Sequence, residues 1–197
     1  MAAPVDVHLF FNFRSPYCYL ASKLMWKIVD EYDATFVFKP LAGWDGRSPP
    51  GRAEKKIVST RQDVARFARQ LGIAFVPPPV TTDPTGAGAA SLLAEEKGLL
   101  RPYLVEMMRA EWALGRDIGD PAVIAEVGAS VGLDPSELTR AASDPARLQI
   151  LKSNWEDAER RNVIGVPTFV IGEEIFWGQD RISFVCTHLH EMRRRRL

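Results

Sequence analysis

The chain has 197 residues, 46% of them hydrophobic and 25% charged, a balance that suits one globular core. Lys and Arg total 25 and Asp and Glu total 25, so no global field points to nucleic acid or an acidic substrate. Two cysteines, Cys18 and Cys186, make no disulfide framework, and no run is long and apolar enough to span a bilayer. Met1 to Asp6 lacks a basic segment followed by an apolar core, so the expectation is no secretory leader and a reducing, cytoplasmic setting.

Val5, Val7, Leu9 and Phe11 alternate with Asp6, His8, Phe10 and Asn12, which predicts a strand over Val5 to Phe13. A helix-period run follows through Leu20, Met25, Trp26 and Ile28-Val29. Between the two, Ser15 stands where an N-cap belongs and Pro16 at the first helical position, where its missing N–H costs nothing. A strand that runs into a helix mouth presents backbone N–H groups and the positive end of the helix dipole. That is a site for an anion, and a thiolate is an anion.

Thr35 to Lys39 reads as a second strand ended by Pro40, and Ala42 to Arg52 as a Gly/Pro-rich loop. The texture is then helical for about a hundred residues. Val64, Phe67, Ala68 and Leu71 share a face closed by Gly72, Val76 to Pro79 is a connector, and Ala89 to Glu96 and Pro102 to Leu114 continue the block. Asp120-Pro121, Asp134-Pro135 and Asp144-Pro145 each place a carboxylate N-cap before a proline, and Asp134 with Glu137 makes a capping box. Pro167 to Gly172 and Glu174 to Gly178 are strands joined by a Gly172-Glu173 turn, and a last helix runs from about Asp180 to Arg193. The order β-α-β, helices, β-β-α implies a small α/β core with a helical insertion capping one end.

Ser15-Pro16-Tyr17-Cys18 has the frame of a Cys-x-x-Cys redox site with serine in the attacking position. Gly165-Val166-Pro167-Thr168 puts a proline directly ahead of a strand, and a cis Val166–Pro167 bond would turn the Val166 backbone toward the helix mouth. Each motif has a plainer reading, Ser15 as an N-cap only and Pro167 as an edge-strand proline. Together they are more specific than either alone.

The chain resembles the glutathione-dependent 2-hydroxychromene-2-carboxylate isomerases and their relatives, the kappa-class glutathione transferases and DsbA-like oxidoreductases. The resemblance rests on Asn12 to Tyr17, Tyr19-Leu20-Ala21, Trp112 to Ile118, Gly165 to Phe169 and Trp177 to Arg181. It implies an α/β, thioredoxin-like core from residues 1–45 and 160–197, with residues 46–159 as the helical insertion. It also implies glutathione as cofactor, a small aromatic-derived acid as substrate, and a homodimer.

By the same resemblance, Ser15, flanked by Pro16 and Tyr17, faces the glutathione sulfur. Val166 ahead of Pro167 pairs with the glutathione backbone, while Gln179 and Asp180 hold its γ-glutamyl end and Arg181 also binds the cofactor. Lys56 falls near the glutathione or substrate anion, or is simply solvated; Asp180 has the plain alternative of an N-cap. The substrate-side residues are Arg47, which grips a carboxylate or points to solvent, and Trp112, which is a core residue or lines the pocket floor. Three positions depart from the family: Arg47 where asparagine is common, Ser59 where tyrosine is often seen, and Cys18 where alanine or serine is usual. Cys18 is read either as a buried, inert thiol or as a redox group. The competing functions are therefore a glutathione transferase or thiol-disulfide oxidoreductase on the same site, and a non-catalytic binding module. His188 and His190 point apart on a helix and complete no metal site.

Overall fold

The computed structural model describes residues 3–43 and 50–192. β1 (Val5–Phe11) and β2 (Ala34–Pro40) are parallel, in register from Val5 opposite Ala34 to Phe11 opposite Pro40. Between them lie α1 (Pro16–Leu24) and α2 (Lys27–Glu31). The sequence predicts one continuous helix here. Instead α1 ends at its C-cap Met25, the Trp26 indole N–H donates to Ser22 O (2.9 Å), and its ring packs edge-on against Phe36 of β2. Packing that ring on the sheet requires the chain to turn.

The helical block is α3 (Pro50–Leu71), α4 (Thr85–Glu96), α5 (Leu100–Trp112), α6 (Pro121–Ser130), α7 (Pro135–Ala142) and α8 (Pro145–Arg160). α3 begins at Pro50, inside the stretch read from sequence as loop. The three Asp-Pro starts cap as the sequence predicts: Asp120, Asp134 and Asp144 accept from the N–H groups of Ala122, Glu137 and Ala146 at 2.8, 2.8 and 2.9 Å. The chain then returns through β3 (Thr168–Ile171), β4 (Glu174–Trp177), a single 3-10 turn (Gln179–Arg181) and α9 (Ile182–Glu191). The four strands form one sheet in the order β2-β1-β3-β4, with β3 antiparallel to both neighbours.

Strand alternation puts Val7, Leu9 and Phe11 on one face with Phe38 and Phe169. Ile28 of α2 and Ile182, Val185 and Leu189 bury against that face in the main apolar cluster. Phe10 and Val170 point the other way and are covered by Ala158 and Trp155 of α8. α8 is tied to the end of β2 by Asn154, whose amide donates to Pro40 O (2.9 Å), and by Trp155, whose indole N–H donates to Ala42 O (2.9 Å). The last helix of the block thus lies on the sheet instead of standing clear of it, because the apolar second face must be buried.

Candidate functional site

The site begins where β1 ends. Asn12 is buried, its amide donating to Leu41 O (3.0 Å) and its Oδ1 accepting from the Arg14 N–H (2.8 Å). Its carbonyl accepts from the Ser15 N–H (3.0 Å). This side-chain turn ends the strand and aims Ser15 at the start of α1. Ser15 has the extended backbone of an N-cap (φ −91°, ψ 118°), and its Oγ accepts from the Cys18 N–H at 3.3 Å. Pro16 contributes no donor. The Tyr17 N–H has no acceptor among the described residues, so one donor of the first turn remains open at the mouth.

The Ser15 hydroxyl donates to Val166 O at 3.2 Å, joining segments 151 residues apart. The Val166–Pro167 bond is cis. The Val166 N–H, like that of Tyr17, has no acceptor among the described residues. Gly178 N–H donates to Pro167 O (2.9 Å), which brings the Gln179–Arg181 turn beside the bend. A side chain at Gly178 would be strained at φ 111° and would place its Cβ 2.7 Å from Asp180 Oδ1. Glycine here lets the Asp180 carboxylate fold back over the chain.

Gln179 is buried, whereas Asp180 is exposed and pairs with Arg181 at 2.9 Å. Asp180 lies inside the 3-10 turn rather than at the N-cap of α9, a position held by Arg181. The expected end of that helix at Arg193 lies outside the described residues.

The Tyr17 hydroxyl donates to Asp63 Oδ2 (2.9 Å) on α3. Burial, then the bond to and the charge of Asp63, push this phenol up to about 12, with a smaller contribution from Asp180. Tyr17 is therefore a fixed neutral donor linking the insertion to the core. Asp63 was not among the residues the sequence points to. Its signal was helical spacing, since it follows Lys56 by two turns on one face of α3. Lys56 and Ser59 are exposed on that helix, and Arg47 lies outside the described residues.

Cys18 is fully buried, and burial pushes its thiol up to about 12 despite hydrogen bonds from the Asn12 backbone and Ser15. The charge of Glu111 adds to that rise. Trp112 is also buried, at 4% exposure, with its indole N–H given to Phe13 O (3.0 Å) and its ring stacked on Phe75. It supports the β1–α1 turn from beneath. Beside it Arg14 Nη1 lies 3.5 Å from Glu111 Oε1, Nη2 donates to Pro79 O (3.0 Å), and the guanidinium lies over the Trp112 ring. Sequence reasoning left this pair unassigned, although a glutamate within the stripe Leu104, Met107-Met108, Trp112 was a visible irregularity.

The structure thus gathers Ser15, Pro16, Tyr17, Val166, Pro167 and the Gln179–Arg181 turn at one end of the sheet. Asp63 joins them from the insertion.

A profile of the family described as DSBA-like thioredoxin domain matches residues 6–190. The 2-hydroxychromene-2-carboxylate isomerase of Pseudomonas putida is 27% identical over 183 residues, covering 89% of this chain and 90% of its own. A solved 2-hydroxychromene-2-carboxylate isomerase superposes with a TM-score of 0.81 at 23% identity, over 95% of each chain. The cytosolic disulfide reductase DsbM from Pseudomonas aeruginosa, solved with GSH, superposes with a TM-score of 0.73 at 22% identity, over 94% of this chain and all of its own. At these identities the two solved structures speak for the fold.

Proposed function

The chain belongs to the DSBA-like thioredoxin domain family, and we propose that it is a glutathione-dependent isomerase acting on 2-hydroxychromene-2-carboxylate or a related aromatic-degradation intermediate. An isomerase activity is supported by curated relatives of that name and by a solved isomerase of the same fold. The observation that carries the cofactor and the mechanism is the meeting of the Ser15 hydroxyl with the Val166 carbonyl at a helix mouth. DsbM, of the same fold, was solved with GSH, which supports the same ligand for this site.

The residues fit a γ-glutamyl tripeptide thiol. The open Val166 N–H suits an extended peptide backbone, the open Tyr17 N–H and the α1 dipole suit an anion, and Asp180 suits an ammonium group. Bound there, glutathione supplies a thiol that adds reversibly to a conjugated double bond, freeing it to rotate before the double bond is restored.

Ser15 has two tasks in this reading. Its oxygen keeps capping α1 through the Cys18 N–H, while its hydroxyl proton swings from Val166 O to the sulfur. An ordinary thiol titrates near 8.5, and lowering it by ~2 units requires ~2.7 kcal/mol of preference for the thiolate. A neutral hydroxyl donor, the open N–H and the dipole supply this jointly. Tyr17, held by Asp63, forms the wall and keeps its proton. Cys18 takes no part, since a fully buried thiol pushed up to about 12 is neither exposed nor ionised. That weighs against disulfide exchange at Cys18, while a transferase would share every other feature.

The direct test follows conversion of 2-hydroxychromene-2-carboxylate with and without glutathione. Turnover that requires glutathione is expected. Equal turnover without it would remove the cofactor from the mechanism, and binding without turnover would leave a binding module.

A further inference from the structure

Directly beneath the helix mouth, two opposite charges from different parts of the chain are buried together. Arg14 immediately precedes Ser15, and its side chain is only 9% exposed; Glu111, on α5 of the insertion, is 0% exposed. They stand 3.5 Å apart at Nη1 and Oε1. Two further contacts fix the pair in place. Arg14 Nη2 donates to Pro79 O, and Trp112, next to Glu111 in sequence, donates to Phe13 O, next to Arg14. Arg61 of α3 and Asp117 beyond α5 also bear on the Arg14 charge, with opposite signs. Glu111 acts on the first turn of α1, since its charge disfavours a thiolate at Cys18.

A buried ion pair is weak evidence for stability, because desolvation offsets the attraction. Its position suggests another use. We propose that Arg14 and Glu111 are positioning residues that set the ionisation of the sulfur held at Ser15, with Glu111 offsetting the Arg14 cation so that the mouth favours a thiolate only moderately. This rests on the reading of the site as one that holds a reacting thiol. Such a balance suits reversible addition, since a thiol ionised too readily is a poorer nucleophile. The two partners are not equivalent. A guanidinium cannot shed its charge, whereas a carboxylate left alone in the interior takes up a proton. Removing Glu111's charge is therefore the cleaner perturbation.

The test places a reporter thiol at the mouth, independent of any bound ligand. In Ser15→Cys/Cys18→Ala protein, the position-15 thiol is titrated by its alkylation rate against pH. Adding Glu111→Gln is expected to lower the midpoint by roughly 1 pH unit, the size of one charge at about 10 Å in a protein medium. Glu111→Asp, which keeps the charge, stays with the parent. Arg14→Met/Glu111→Leu, which removes both charges, returns to within about 0.3 unit of it, a shift too small for an uncompensated charge. A Glu111→Gln midpoint that stays put or rises overturns the proposal. So does a double variant that follows Glu111→Gln. Should Glu111→Gln fail to fold, the double variant is compared with the parent directly, and a midpoint displaced by more than about 0.3 unit overturns the proposal. In parallel, wild-type protein is titrated with glutathione. A reporter that responds while glutathione does not bind leaves the electrostatic role standing and overturns the cofactor reading instead.

Discussion

Among the described residues five helices start on a proline, and the four whose caps are described, α1, α6, α7 and α8, divide into two kinds. α6, α7 and α8 of the insertion are capped by Asp120, Asp134 and Asp144, each carboxylate filling its own helix mouth. α1 is capped by Ser15 and has no acidic residue in its first turn. An aspartate cap supplies the anion that the helix dipole attracts, so the mouth is satisfied from within. A serine cap satisfies an N–H equally well but leaves the positive end for a charge from outside. The same local device serves stability in the insertion and, in our reading, chemistry in the core.

The comparison breaks most visibly if the core start is converted to the insertion type. Ser15→Asp should keep α1 capped while placing a carboxylate where the sulfur belongs. Glutathione affinity is expected to fall by roughly a hundredfold or more, since like charges at about 4 Å oppose each other by several kcal/mol. Calorimetric titration checks this, and unchanged affinity would mean that the mouth holds no anion. Ser15→Ala removes the proton donor but adds no charge. Turnover should drop by about 10- to 100-fold, with glutathione binding changed only a few-fold, as read from kcat and KM.

Smaller effects sharpen the contrast. Asp63→Asn weakens the hold on the Tyr17 hydroxyl, so KM for glutathione should rise several-fold with kcat little changed. A fall in kcat alone would move Tyr17 into the chemistry. Asp120→Ala removes an insertion cap and should lower stability by about 1 kcal/mol, by denaturant unfolding, with activity per folded molecule intact. Lost activity there would deny the division of labour.

A separate effect, seen only in alkali, concerns Cys18. Burial pushes its folded value up to about 12, above the 9.0 taken for this cysteine in the unfolded chain. Below pH 9 the thiol is protonated in both states and its contribution is fully present. As pH rises from 9 toward 12 the unfolded chain ionises first, so the contribution is lost across that window. Cys18→Ala should flatten the decline of stability in alkali, and identical slopes would contradict the burial of the thiol.

What the sequence made legible was local. Ser15-Pro16 and the Asp-Pro pairs announce helix starts because capping uses residues within one turn, and Gly165 to Thr168 carries the bend because the peptide bond before a proline adopts cis far more readily than any other. The alternation predicted a strand over Val5 to Phe13, and β1 stops at Phe11 because the Asn12 side chain turns the chain; the resemblance supplied the fold class. What escaped was long-range. Tyr17 meets Asp63 across 46 residues, and Arg14 lies beside Glu111 on a helix of the insertion. Neither pair has a spacing that a single helix or strand would reveal. The turn at Met25-Trp26 escaped for the same reason, because the packing of Trp26 on Phe36 overrides a continuous helical pattern. The Asp180 turn escaped because a 3-10 segment and an α-helix start share the same residue preferences.

One titration bears on all of this: the ultraviolet thiolate absorbance of glutathione bound to wild-type protein and to Ser15→Ala, followed against pH. The sulfur should ionise below its free value on the wild-type chain and return part of the way toward it when the hydroxyl is gone. Superimposable curves with glutathione bound to both would contradict the assignment of the Ser15 hydroxyl as the group that holds the anion.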